Sequence, residues 1–378
     1  MYDRLGWDLA TGKGFPVKSD FLVEPLRSPG YPLILAFIYK IFGHDLVAVR
    51  IFQALVGSLL CIFIYFLAME VFNNNKIALL ASAISAFYFP LVSYTGLISR
   101  EAILGVVLVI TVIFLIKAFK TGFLSYYILS GIFIGGLALF DERMSYFSIF
   151  IFLILLGVGF FKKKVLIHSL VLLACAFITI SPWSIRNYIV FNKFIPVTRA
   201  QKACFWLSTH PSELLEWRFQ KEPLKSLVSG LSGEERFKKL STEAIKNLKG
   251  HPLTYIKLSL KRFFRLWVGS HSNSFYGLEE SFMGSFKEGN FGVFFVKFLM
   301  LLLNSIFIFS AVVGFYFAYR FDMFYLNILM IAPVIYLTII HTLSFATPRY
   351  QIPMIPFLTI LSSVAWIQFY HKVRGSQL

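Results

Sequence analysis

Residues 102–118 read AILGVVLVITVIFLIKA, an apolar run interrupted only by one threonine and, near its far end, one lysine. A helix needs about 20 predominantly apolar residues to cross the hydrocarbon of a bilayer, and this run approaches that length. Working outward in both directions, stretches of the same character cover 51–73, 77–96, 123–140, 145–160, 165–182, 291–318, 323–343 and 350–370. The chain is therefore expected to be all-α, a polytopic integral membrane protein with about nine transmembrane helices. The shortest stretches suit a tilted or internally buried helix.

Bulk composition agrees. With 57% hydrophobic and only 15% charged residues among 378, and a mean hydropathy of +0.72, a soluble chain would carry more apolar surface than it hides. The net charge of +17 raises the question of nucleic acid. No arginine-rich tail, no Cys/His zinc spacing and no continuous basic soluble domain accompanies it, so nucleic acid is not an expected partner. Anionic lipid and lipid phosphate account for the charge more simply. Cys61 and Cys175 lie inside expected spans and Cys204 in a loop, which leaves no sensible disulfide pair or metal cluster.

Short cytoplasmic linkers retain positive charge, and the linkers fall into two sets. One holds Lys76, Lys117, Lys120, Lys162, Lys163, Lys164, Arg320, Lys372 and Arg374; the other holds only Arg100, Arg143 and Arg349. The lysine-rich set is placed in the cytoplasm. Residues 1–50 are then an extracytoplasmic segment, 51–182 the first six spans, 183–290 a long extracytoplasmic loop and 291–378 the last three spans. An N-terminus outside without a signal peptide is unusual, and the expectation is that a further helix precedes Met1.

The long loop carries helix signals of its own. Ser232 to Glu235 has capping-box spacing, Phe237, Leu240, Ala244 and Leu248 recur at helical period, and Lys246, Lys249 and Gly250 close the segment. After His251-Pro252 comes a second helix with Lys257, Lys261, Arg262 and Arg265 on one face and Leu253, Ile256, Leu260, Phe263 and Trp267 on the other. Such a helix lies flat on a leaflet or packs on the bundle with its basic face in water. Residues 31–41, too short to span and too apolar for a free loop, read as an interfacial helix started by the Pro-Gly-Tyr-Pro turn at 29–32.

Charged groups at the ends of spans are costly unless paired, solvated or used. Arg27, Glu101, the Asp141-Glu142-Arg143 cluster, Arg186 and Arg349 all fall on the outer side. Singly, each has a plain reading: Glu101 as a helix N-terminal acid, Arg186 and Arg349 as snorkelling anchors. Together they resemble a site for a phosphate-bearing lipid with a carboxylate available as base.

At these residues the chain resembles the GT-C superfamily of integral-membrane glycosyltransferases, in the branch of the dolichyl-phosphate-mannose protein mannosyltransferase-like and aminoarabinose-transferase-like enzymes. The resemblance rests on Tyr2 to Phe15 with Gly12-Lys-Gly-Phe, Arg27-Ser-Pro-Gly-Tyr-Pro-Leu, Tyr94 through Glu101, Gly135-Gly-Leu-Ala-Leu, Ser181-Pro-Trp-Ser-Ile-Arg-Asn-Tyr, Ala244 through His251-Pro, and Pro348-Arg-Tyr-Gln-Ile-Pro-Met-Ile-Pro. It implies transfer of a sugar, with inversion, from a polyprenyl-phosphate donor to a glycan, lipid or protein acceptor on the extracytoplasmic face of a bacterial or archaeal plasma membrane.

Residue by residue, the family's second acidic position matches Glu101, with the flanking Arg100 expected to pair with it and lower its pKa. The first acidic position falls ahead of Met1; Asp3 is the nearest candidate in its place, although Asp3 and Asp8 are out of register and read as ordinary acids. Arg27 matches the basic position that in relatives faces the lipid phosphate; Arg143, expected to bind the same phosphate, falls where many relatives have an arginine after the Gly-Leu-Ala-Leu helix, although the two acids before it depart from the usual pattern. Arg186 and Arg349 match motif arginines that either bind phosphate or tie the outer loop to the bundle. Some relatives use a divalent metal ion, so one enters as a candidate cofactor without a ligand set. A lipid-linked glycan polymerase or ligase, a flippase and an inactive relative are the competing readings. Against a flippase, polar mid-span residues such as His168, Asn304 and Asn327 are sparse and no half of the chain repeats.

Overall fold

The computed structural model describes residues 1–15, 27–159, 162–210, 226–231, 233–269, 271, 278, 282–320 and 324–374, among which there is no β-strand. Each of the nine apolar stretches is helical, but they are not nine equal spans. Six helices have the length and composition to cross a membrane: α3 (Leu46–Phe72), α6 (Glu101–Thr121), α9 (Lys163–Phe191), α14 (Phe291–Arg320), α15 (Phe324–Leu343) and α16 (Ile355–Arg374), the last continuous with a 3-10 turn from Pro348. A seventh is counted if α4 (Asn75–Phe87) and α5 (Phe89–Thr95), bent by 55° from each other, act as one. Pro90 in the first turn of α5 cannot donate a backbone hydrogen bond, and Tyr88 before it is extended at φ −71°, ψ 104°, so the helix breaks there. The remaining two stretches give α7 (Leu124–Phe140) and α8 (Phe147–Val158), with 17 and 12 residues.

Two shorter helices precede the bundle. Helix α1 (Tyr2–Ala10) was not an expected element; α2 (Gly30–Phe42) is the apolar helix anticipated after the proline turn. They pack together through Trp7, Leu35 and Tyr39, and Gly6 admits the contact because any Cβ there would meet Leu35 Cβ at 2.5 Å.

Glycine sets the closest helix contacts in the bundle as well. On α7, Gly131 and Gly135 face the α9 backbone at Leu172 and Ala176, and on α14 Gly314 faces the α16 backbone at Leu361. Small residues let helices approach where lipid supplies no hydrophobic drive between them. Helices α6 and α16 are innermost, with 67% and 78% of their apolar windows buried against 22–28% for α3, α9 and α14.

Because successive helices run up and down, the bundle has two chemically distinct ends. Lys117 and Lys120 meet Glu70 at one, where Lys164 also lies beside Gly122. Arg100, Asp141, Arg143 and Arg349 gather at the other. The separation of lysine-rich from arginine-bearing linkers is thus present in three dimensions.

Beyond α10 (Ala200–Thr209), the long loop folds α11 (Gly233–Gly250), α12 (Pro252–Trp267) and the short α13 (Phe282–Lys287). Ser232, the expected cap of α11, lies outside the described residues. Phe237, Leu240 and Ala244 of α11 bury against Trp206 and Val228 as their spacing required. On α12 the apolar residues Leu253, Ile256, Leu260, Phe263 and Phe264 remain exposed. Its basic face is divided: Lys257 and Arg265 are exposed, whereas Arg262 turns inward, donates to the Ser208 carbonyl and lies over Tyr255.

Candidate functional site

The arginine end is assembled by helix termini. α6 starts at Glu101 with Arg100 as its cap, α7 stops at Leu139-Phe140 and hands the chain to Asp141 in extended backbone, and a 3-10 turn, Glu142–Tyr146, follows. Asp141 caps that turn by accepting from the Arg143 backbone N–H at 3.1 Å. Its side chain is therefore fixed before any charge is considered.

Two guanidinium groups converge on this carboxylate. Arg100 Nη2 donates to Asp141 Oδ2 at 2.8 Å and Nη1 to the Phe140 carbonyl at 2.9 Å. Arg143 binds the same carboxylate through both oxygens, Nε to Oδ1 at 2.9 Å and Nη2 to Oδ2 at 2.7 Å. Burial alone would raise the Asp141 carboxyl, but Arg100 and Arg143 outweigh it and hold it well below the usual carboxylate range. Asp141 is an anchor for cations, not a proton acceptor.

Arg143 carries further contacts. Its carbon centre lies 4.2 Å from the Tyr350 ring centroid, and the His341 ring stacks on Tyr350 at 4.2 Å and 11°. Arg143 Nη1 lies 3.0 Å from His341 Nδ1. The Phe345 carbonyl lies 3.1 Å from the same Nδ1; a guanidinium only donates and a carbonyl only accepts, so Nδ1 hydrogen-bonds one of the two according to the imidazole's tautomer.

Glu101 does not pair with Arg100. Both its oxygens are taken by Arg349, Nε to Oε1 at 2.6 Å and Nη2 to Oε2 at 2.9 Å, from a position 248 residues away. The expected Arg100 pairing fails because Arg100, as the residue capping α6, points back to the end of α7, where Asp141 and Phe140 already satisfy it. Arg349 keeps a side chain 42% exposed while that of Glu101 is 3% exposed.

Arg27, Arg100, Glu142, Arg143, Cys204 and Tyr350 help line a cavity of about 250 Å³ at this end. Arg27 is held loosely, with Nε 3.0 Å from Met1 Sδ and its guanidinium 5.4 Å from the Tyr2 ring. Ser28 donates to Glu142 Oε2 at 3.1 Å, which fixes the segment behind it. From the other side Tyr31 donates to Gln53 at 2.6 Å, and Gln53 donates to the Thr95 and Leu97 carbonyls, so the approach to Arg100 is braced by buried hydrogen bonds.

Of the residues picked from sequence, Arg27 and Arg143 line this cavity, and Glu101 and Arg349 follow or precede cavity-lining neighbours in the chain, Arg100 and Tyr350. Two are elsewhere. Arg186 lies 4.9 Å over Trp183, bonds Asn187 and reaches the Phe15 carbonyl at 3.4 Å, which ties α9 to the segment after α1. Asp3 accepts from Tyr39 at 2.6 Å and meets His44 Nε2 at 2.8 Å; burial raises its carboxyl, and these two partners outweigh that and leave it lowered. His341 was not singled out from sequence, and Tyr350 entered only as part of the Pro348–Pro356 motif, without a role. The signal available for His341 was an ionisable ring inside the last turn of an apolar run.

Nor do the described residues at this end fit a divalent ion. Among the described residues no three His, Cys, Asp or Glu side chains converge on one point, and Glu101 and Asp141 direct both oxygens at guanidinium groups.

A family model described as dolichyl-phosphate-mannose-protein mannosyltransferase matches residues 25–185. The whole chain also superposes on two solved structures from Archaeoglobus fulgidus. One is the oligosaccharyltransferase AglB in complex with an inhibitory peptide and a dolichol-phosphate, with TM-score 0.54, 14% identity and 99% of this chain covered. The chain shares the fold of that structure. The other structure is the A. fulgidus oligosaccharyltransferase tethered to an acceptor peptide containing the NVT sequon, with TM-score 0.56, 14% identity and again 99% coverage. The chain spans 47% and 46% of those two proteins, less than half of either. No curated protein sequence matches it. The family match includes Arg27, Glu101, Asp141 and Arg143 and ends one residue before Arg186.

Proposed function

We propose that this GT-C chain is a glycosyltransferase that moves a sugar from a polyprenyl-phosphate donor to a glycan, lipid or protein acceptor at the arginine end of the bundle, on the extracytoplasmic face of a plasma membrane. The observation that carries the reading is the convergence of Arg27, Arg100 and Arg143, from three separate segments, on one cavity beside the Glu101–Arg349 pair. Its volume of about 250 Å³ is just under the ~300–1,000 Å³ usual for small-molecule pockets and suits a phosphate and one sugar residue, with the prenyl tail left in the bilayer. Arginine cannot lose its charge and grips phosphate through two parallel hydrogen bonds. The family model's dolichyl-phosphate-mannose donor and the dolichol-phosphate and peptides held by the archaeal neighbours support the same chemistry.

In transfer, the acceptor oxygen or nitrogen bonds to the anomeric carbon, the bond from that carbon to the phosphate oxygen breaks, and the lipid phosphate leaves with the electron pair. Arg143 and Arg27 offset the charge that develops on it, the kind of fixed electrostatic help whose removal typically costs about 10²–10³ in rate. The acceptor's proton needs a carboxylate. Glu101 becomes available once Arg349, the exposed partner of their pair, swings from the carboxylate to the incoming phosphate. Donor binding and unmasking of the base are then one event, and an empty site keeps its base occupied.

The test is transfer from a radiolabelled polyprenyl-phosphate sugar in membranes. Glu101→Gln and Arg27→Ala are each expected to abolish transfer with expression unchanged, while Arg186→Ala, apart from the cavity, retains most of it. Full activity in both of the first two removes the site.

A further inference from the structure

The opposite end of the bundle holds a second cavity, of about 290 Å³, lined among others by Phe119, Tyr127, Lys162, Lys164, His168 and Tyr325. Five helices build it: the end of α6, the starts of α7, α9 and α15, and the close of α8 at Val158 and Gly159. We propose that it binds a phosphate group, specifically the headgroup phosphate of an anionic phospholipid in the leaflet facing away from the glycosyl-transfer site.

Charge makes the first argument. Lys162, the N-cap of α9, and Lys164 in its first turn reach the cavity where the helix already presents positive charge and unsatisfied N–H groups, and where no acidic residue and no side-chain cap relieves it. No carboxylate is among the described residues that line the cavity. Cations placed at a helix N-terminus oppose the dipole, and an anion between them removes that cost. Glu70 does not serve, since it is engaged with Lys117 and Lys120.

Shape makes the second. Lys164 Nζ is set across the mouth beside Gly122, which closes α6 at φ +66°, where a larger residue would be strained and its Cβ would meet the ammonium at 3.5 Å. Tyr127 is buried with its ring 5.1 Å from His168, giving the floor polar edges, while Phe119, Val158 and Val165 make apolar walls. Phe123, Leu124 and Leu166 beside it are exposed, which suits acyl chains at the mouth. A free phosphate ion would use the lysines and leave these surfaces uncovered.

The measurement is native mass spectrometry of the full chain purified in detergent, offered phosphatidylglycerol, phosphatidylcholine or inorganic phosphate. Phosphatidylglycerol should be retained in preference to phosphatidylcholine, and the Lys162→Gln/Lys164→Gln variant should hold it roughly thirty-fold less well, the loss expected for two lysines at a headgroup. Lys162→Arg/Lys164→Arg should keep it, and so should Arg143→Ala, which separates this site from the one proposed for transfer. Equal retention of both lipids, no effect of the double glutamine variant, or displacement of the lipid by millimolar inorganic phosphate each overturns the proposal.

Discussion

Removing the Asp141 carboxylate would leave Arg100 and Arg143 facing each other in a buried setting with one neutral amide between them. Uncompensated buried charge of this kind costs about 3–5 kcal/mol, so Asp141→Asn should lower the unfolding midpoint in detergent by several degrees, more than any exposed lysine substitution at the far end. The pH dependence has a definite sign. Asp141 is held below its unfolded value of about 3.9, so its contribution is complete above that value and disappears only as pH falls through the lower native value. A scan of unfolding from pH 8 to pH 5 should therefore show no loss traceable to this residue, and a loss in that window absent from Asp141→Asn would contradict the assignment. The individual charges were legible in the sequence because a charge ending an apolar run is expensive and demands a reason. Their partners were not: Arg100 and Asp141 are 41 residues apart, Glu101 and Arg349 are 248 apart, and only helix packing decides that Arg100 serves Asp141 and leaves Glu101 to Arg349.

At the scale of elements, the apolar runs located every helix of the bundle, since hydrophobic length needs no tertiary information. What they could not give was the division of the runs into full spans and short buried pieces. The 145–160 run becomes a 3-10 turn and the 12 residues of α8 because Asp141 and Glu142 are spent on the charged cluster, and the 77–96 run bends at Tyr88 because of Pro90. The small residues were equally silent, since Gly314 in α14 acquires its meaning from the Leu361 carbonyl of α16. Gly314→Ala places a methyl group on that backbone, and neither helix can yield by rotating a side chain. Overpacking of this kind costs about 1–3 kcal/mol, and the variant should show a lowered midpoint in a detergent thermal-shift assay. Gly292→Ala on the same helix, with open space around its Cβ, is the matched control and should be neutral. An unchanged Gly314→Ala would mean that the two helices are not in backbone contact.

For the molecule as a whole, the two functional proposals stand or fall on one geometric property, that the arginine cluster and the lysine cluster occupy opposite ends of a bundle crossing a bilayer. Contacts alone place Glu101 with Arg349 and Arg143 with His341 at one end, and Glu70 with Lys117 and Lys120 at the other. The proposed orientation, with that end toward the cytoplasm, rests on the excess of lysine in the second set, because short loops rich in Lys and Arg are retained there. Helix α12 belongs to the arginine end, where Tyr255 donates to the Leu343 carbonyl at 2.7 Å, and its exposed apolar residues give it a reason to rest on the leaflet beside the site. Two exposed positions report on the arrangement. In a background with Cys61, Cys175 and Cys204 replaced, Lys257→Cys on α12 should react with an impermeant maleimide in intact cells, whereas Lys76→Cys should react only after the membrane is opened. Labelling of both from the same side would place donor phosphate and cytoplasmic headgroup in one compartment, and neither cavity would then have the ligand its charge and lining call for.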